Sequence, residues 1–200
     1  MEASATQDEA DRQWFIAGRW QELEGESRAN LLRVTGVGLF YSVELWNRAN
    51  VTPLFHSGVT ALAAAWLMLA WAVHVCLQRR VFPSSMKFLS TGADLFLLTC
   101  VLLLADGPRS PLLLGYFVIL SLSALRFSVG LLRFATVLAM ASFLVVSRQA
   151  SWLRPPLSVP GYHKLIVLLA LGLSGVILGQ VLRRVRGFAE DYSKRLSEGR

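Results

Sequence analysis

Five stretches of this chain are apolar enough to cross a membrane, a sixth is marginal, and the basic residues fall on alternate connections between them. No charged residue lies between Arg48 and Arg79, and 165–182 is uncharged. Residues 88–105 carry only Asp94, 110–125 carry none, and 127–147 carry only Arg133. A hydrocarbon core about 30 Å thick takes about 20 apolar residues of helix. The marginal stretch, 31–47, contains Arg33 near its start and Glu44 near its end. The pattern predicts an all-α, polytopic membrane helix bundle with six spans, at 31–47, 58–77, 88–105, 111–126, 129–147 and 164–183.

Sorting Lys and Arg by side puts 15 of the 20 with the two chain ends and the even-numbered connections. Arg48, Arg109, Arg148, Arg154 and Lys164 are on the other side. Basic residues stay on the cytoplasmic face, so both termini are expected there, in a multi-pass protein of the inner (plasma) membrane. The expected divisions are a cytoplasmic tail at 1–29, a six-helix transmembrane domain at 30–183 and a cytoplasmic helical tail at 184–200. In the first tail, Ile16, Trp20 and Leu23 share one helical face, which suits a helix lying among lipid headgroups. In the last, Val181, Val185, Phe188 and Tyr192 recur at helical spacing.

A hydrophobic fraction of 54% and a mean hydropathy of +0.49 exclude an ordinary soluble domain. The net charge of +7 sits at helix ends, so the expected partner is the anionic surface of the lipid bilayer, not nucleic acid. Cys76 and Cys100 lie inside predicted spans, toward opposite ends of the bundle, and read as small apolar fillers. The first 27 residues lack the basic-then-apolar layout of a signal peptide. No zinc, P-loop, Rossmann or nucleophile-elbow spacing occurs. The expectation is therefore no metal, no catalytic residue and no enzyme.

Charges within a span are costly and need a reason. Asp94 is six residues into the third predicted span, about 9 Å from its inner end by helical rise. If the chain turns back at about residue 108, Asp94 faces about residue 122, and Arg126 lies one turn further inward. An intramembrane Asp94–Arg126 ion pair is expected, acting as a structural clamp. Glu44 and Arg48, four apart, are expected to form a surface pair. Gly172, Gly175 and Gly179 let another helix approach closely, either within the chain or across a homodimer.

The central hairpin carries a resemblance. Its residues are Asp94-Leu-Phe-Leu-Leu-Thr99, then Asp106-Gly-Pro-Arg-Ser-Pro-Leu112 and Gly115-Tyr-Phe117. With the six-helix layout of 30–185, they resemble the membrane input module of RegB-type and PilS-type bacterial histidine kinases and of some membrane-bound cyclases. In the RegB type the outer turn reads G-G-x-x-N-P-F and is implicated in quinone sensing. Gly107 and Pro111 match that pattern, whereas Asp106, Ser110 and Leu112 depart from it. The resemblance implies a ligand site at Gly107, Arg109, Ser110, Pro111 and Tyr116, with Arg109 donating to a quinone oxygen and Tyr116 stacking on the ring. A plain local reading stands beside it, with Ser110 as N-cap and Pro111 at the first position of a helix. The sequence ends 17 residues past Arg183, with no phosphoacceptor-histidine helix, ATP-binding lobe or cyclase domain.

The function expected from this is a non-catalytic sensory or signal-transducing module. It would act through its last helix on a cytoplasmic signalling partner. The alternative is a small transporter or channel subunit, which would have no need of residues 183–196. No cofactor is expected beyond the quinone that the resemblance implies.

Overall fold

The structure, a computed structural model, describes residues 2–79, 83 and 85–198, with side chains described over 24–79, 83, 85–185 and at Phe188. The amphipathic face expected at Ile16, Trp20 and Leu23 and the tail residue Tyr192 lie outside the described side chains. Six α-helices follow one another: α1 (Glu2–Trp46), α2 (Pro53–Gln78), α3 (Met86–Leu104), α4 (Leu114–Leu125), α5 (Val129–Leu153) and α6 (Gly161–Glu198). There is no strand among the described residues. Four segments are long and apolar enough to cross a membrane: α2, α3, α5 and the Gly161–Val185 part of α6. The apolar Pro111–Leu125 segment is shorter.

The helix bounds differ from the hydropathy pattern for local reasons. α2 starts at Pro53, five residues before the expected 58, because the Thr52 side chain accepts from Phe55 N at 3.3 Å and Pro53 takes the first position. α1 and α6 run straight through the expected boundaries at 29/30 and 183/184. Polar residues there change what the helix faces without breaking its backbone. The buried face of α1 already begins at Gly25. α4 is the short helix, preceded by a single 3-10 turn at Pro111–Leu113. It stops at Arg126, where Phe127 adopts φ +50° and Ser128 caps α5 by accepting from Leu131 N at 3.3 Å. A left-handed conformation costs a non-glycine residue roughly 1–2 kcal/mol, and here it turns the chain between two helices in three residues.

The apolar core belongs to α3, α4, α5 and α6. Leu95, Leu102, Tyr116, Leu120, Phe143 and Leu171 meet there, fully buried. α6 presses against α5 at Gly175, where any added Cβ would collide with the Thr136 side chain. Gly179 is buried beside Leu132, whereas Gly172 faces open space. The Gly175/Gly179 face is thus used inside the chain. The outer face of α6, including Leu165, Leu169, Leu173 and Ile177, is exposed, as lipid-facing residues are. The α1–α2 hairpin differs: its only buried hydrophobic residues are Ala29, Val37, Ala70 and Val73 among the described residues. Apolar packing alone does not hold it to the core.

Gly175→Ala and Gly172→Ala should move stability in opposite directions. Replacing a helical glycine by alanine gains roughly 0.5–1 kcal/mol. At Gly175 the overpacking against Thr136 costs about 1–3 kcal/mol, so the net change is a loss. Thermal unfolding in detergent should show a lower midpoint for Gly175→Ala and an equal or higher one for Gly172→Ala. Equal behaviour of the two would overturn the packing assigned to α5 and α6.

Candidate functional site

Six residues of α1 recur at spacings of 4, 3, 4, 4 and 3: Glu26, Asn30, Arg33, Val37, Tyr41 and Glu44. That period places them on one helix face, over about 27 Å of axis at 1.5 Å per residue. Glu26, Asn30 and Arg33 are buried, and Tyr41 and Glu44 are half-buried. Leu31, Leu39 and Val43, on other faces, are exposed. α1 therefore turns its polar stripe inward and its apolar side outward, the arrangement a helix adopts when its surroundings are lipid.

The stripe centres on Arg33. Its Nε donates to Asp94 Oδ1 at 2.8 Å and its Nη2 to Asp94 Oδ2 at 2.7 Å. This is the two-pronged geometry in which guanidinium and carboxylate bind most strongly. Trp66 Nε1 from α2 donates to the same Oδ1 at 2.7 Å. Arg33 Nη1 donates to Asn30 Oδ1 at 2.6 Å, and Asn30 Nδ2 donates to the carbonyl of Ala70 at 3.0 Å. Three helices are thereby joined through one carboxylate. Arg33 and Asp94 are each only 4% exposed, so neither charge can be left to solvent. Asp94 lies eight residues from the start of α3 and ten from its end, about 12 and 15 Å by helical rise. Trp66 is likewise mid-helix in α2. The pair sits near the middle of the bundle.

Toward the end that holds the chain termini, Arg126 forms a second buried group. Its Nη1 donates to the carbonyl of Lys87 at 3.1 Å and to Thr91 Oγ1. Its Nε lies 3.2 Å from Glu26 Oε1. That contact is an ion pair by distance but not a hydrogen bond by angle, so both Glu26 oxygens lack a hydrogen bond among the described residues. Gly25 permits the approach, since a Cβ there would come within 3.3 Å of the Leu125 carbonyl. At the opposite end, Glu44 Oε1 lies 3.4 Å from His56 Nδ1.

Between the hairpin and the core, on the side away from the termini, lies a cleft of about 580 Å³. Its floor is Arg33, Trp66 and Asp94, and its walls include Val37, Phe40, Val59, Leu98, Ile119 and Leu122. Its mouth carries Glu44, Asn47, Thr52, Asp106 and Arg154. The size falls within the range of small-molecule pockets, about 300–1,000 Å³, and so does the combination of apolar walls with few polar groups.

Asp94 does need a cationic partner, but it takes Arg33 rather than the expected Arg126. Reasoning from the α3–α4 hairpin alone leaves α1 out, and α1 reaches Asp94 first. Arg126 instead pairs with Glu26. Glu44 meets His56, not the expected Arg48, because α2 packs alongside α1. The five residues of the expected ligand site do not converge. Tyr116 is fully buried, with its hydroxyl 3.2 Å from Thr99 Oγ1. Gly107, at φ +57°, packs beside Val146 and Ala150 of α5. Arg109 Nη2 donates to the Ser158 carbonyl at 2.9 Å, tying two connecting loops together. Only Ser110 and Pro111 line the cleft, and Ser110 also caps the following turn by accepting from Leu112 N at 3.2 Å. Sequence reasoning missed Arg33, Trp66 and Glu26, although the 4-3-4-4-3 spacing of the stripe was there to be read. No group of side chains suited to a metal ion occurs among the described residues. No protein-family model, curated protein or solved structure matches this chain.

Removing one partner of a buried ion pair costs about 3–5 kcal/mol, because the other charge is left uncompensated. Arg33→Gln and Asp94→Asn should each lower the thermal midpoint in detergent to that extent. The double variant should lose clearly less than their sum. Asp94→Asn with Arg126→Gln should come close to additive, since the two share no direct bond. A coupling between Asp94 and Arg126 as large as that between Asp94 and Arg33 would refute this assignment.

Proposed function

We propose that this chain is a non-catalytic protein of the plasma membrane that crosses it six times, keeps both termini cytoplasmic and works as a sensory input module. The observation that carries the reading is the two-part construction. The α1–α2 hairpin is joined to the α3–α6 core by buried polar contacts from α1 and by the packing of α2 on α3, and each part includes one long continuous helix. α1 has 45 residues and α6 has 38, about 68 and 57 Å by helical rise, against a hydrocarbon core of about 30 Å. A shift of the hairpin against the core would be delivered to both extensions. A cytoplasmic partner touching them would read it, as the resemblance to sensor-kinase input modules implies.

The 15-to-5 split of basic residues supports the orientation. α1 fits the role of a span although its charges lower its hydropathy, because those on the stripe face inward and are paired. The second reading, a small transporter or channel subunit, draws on the same mid-bundle pair, since ionisable residues at that depth also mark transport paths. Against it, both Asp94 oxygens and all three Arg33 nitrogens already have protein partners.

Two measurements test the proposal. Reporter fusions after Ser4 and Ser197 should both signal from the cytoplasm, and a signal from the far side at either end would refute the orientation. Spin labels at the exposed positions 28 and 183 should give one narrow distance distribution in liposomes. Arg33→Gln should broaden it or shift it by about 1–2 Å, the displacement typical of helix shifts. An unchanged distribution would mean that the Arg33–Asp94 pair does not control the relation between hairpin and core.

A further inference from the structure

The cleft that ends on the Arg33–Asp94 pair has a polarity gradient of its own. At its floor both carboxylate oxygens and each guanidinium nitrogen already hold a protein partner, so the two charges are satisfied by each other and by Trp66 and Asn30. Its walls are apolar. From Trp46, the last residue of α1 and next to Asn47 at the mouth, to Arg33 at the floor is 13 residues, about 20 Å by helical rise, which covers half of the hydrocarbon core, about 15 Å. The side between α1 and α4 is bordered by Leu32, Phe40 and Val118, all exposed. An object lying in the membrane can therefore enter sideways. Gly36 leaves the room for it: it lines the cleft, and a Cβ added there would meet nothing within 4 Å.

The mouth carries both signs of charge. Arg154 Nη1 donates to the carbonyls of Leu104 and Ala105 at 3.4 and 3.3 Å, while its Nε and Nη2 make no hydrogen bond among the described residues. Asp106 is exposed, and its side chain does not cap the turn that follows it. Glu44 adds a second carboxylate beside His56. A purely anionic head would meet two carboxylates for one guanidinium, and a purely cationic one would meet the guanidinium.

We propose that the cleft is a binding site for one zwitterionic phospholipid, drawn from the leaflet on the side away from the chain termini. One acyl chain lies between α1 and α4 with its end against Trp66. The phosphate faces Arg154, and the cationic end of the head faces Asp106 and Glu44. The inference needs only a chain embedded in a bilayer and is independent of whether the protein is a sensor.

Native mass spectrometry of the full chain in detergent tests it, with phosphatidylethanolamine and phosphatidylglycerol of identical acyl chains as probes. The wild type should retain a single phosphatidylethanolamine about fivefold more tightly than phosphatidylglycerol, the size of one exposed charge contact. Gly36→Phe should fill the space and abolish that adduct. The Asp106→Asn, Arg154→Gln double variant, altered only at exposed positions, should keep its thermal midpoint and lose the preference. Equal or tighter binding of phosphatidylglycerol by the wild type would overturn the proposal. So would a phosphatidylethanolamine adduct that survives Gly36→Phe, or a preference that persists in the double variant. The two readings fail separately: a wild type without the preference removes the lipid site whatever the spin labels report, and an Arg33→Gln distance distribution that does not change leaves the lipid site untouched.

Discussion

The bond between Arg33 and Asp94 is the constraint from which the placement of α1 follows. Near the middle of an apolar bundle a lone guanidinium or carboxylate is expensive, and the two together are tolerable only when close, aligned and fully hydrogen-bonded. Trp66 and Asn30 complete that requirement. Once Arg33 is held at Asp94, the register of α1 is set. Glu26 then falls beside Arg126 two turns toward the termini, and Glu44 falls beside His56 three turns the other way. A helix that hydropathy ranks as marginal is thus located by its charges.

The same constraint explains why the molecule has two unlike parts. α3 to α6 interlock through large apolar side chains and a close glycine contact, so they behave as one packed body. The α1–α2 hairpin has few buried apolar residues, and its directional bonds to the core lie from mid-bundle, at Arg33, Trp66 and Asp94, to the end nearer the termini, at Glu26 and Arg126. Directional bonds fix position but do not fill volume. In the other half α2 still lies against α3 at Gly58 and Leu104, while α1, where Gly36 adds no side chain, stands apart from the core and leaves the cleft.

Much of the site was legible in part. Asp94 stands out in the sequence as the lone charge in an apolar run, and its need for a cation follows from that alone. The identity of the cation does not follow. Arg126 is near along the α3–α4 hairpin, whereas Arg33 is 61 residues away and counts by position as one more basic residue at the inner end of a span. Ser110 and Pro111 close the turn between α3 and α4 as their local chemistry requires. The gathering of Gly107, Arg109 and Tyr116 into one ligand site was an inference from likeness. The chain uses them separately: a turn against α5, a tie to the Ser158 loop and a buried hydroxyl bonded to Thr99.

By itself the sequence determined that this chain is a bundle of apolar helices and where most of them turn. Those properties depend on local composition, on proline and serine at helix starts, and on the cost of placing charge in hydrocarbon. Tertiary structure alone decided which charges meet, and that Gly175 packs against α5 while Gly172 faces outward. The physical reason is that the energy of a buried charge depends on whatever lies within a few ångströms of it. Its nearest neighbours come from helices far apart in the chain, and no local pattern specifies which of several candidate cations arrives.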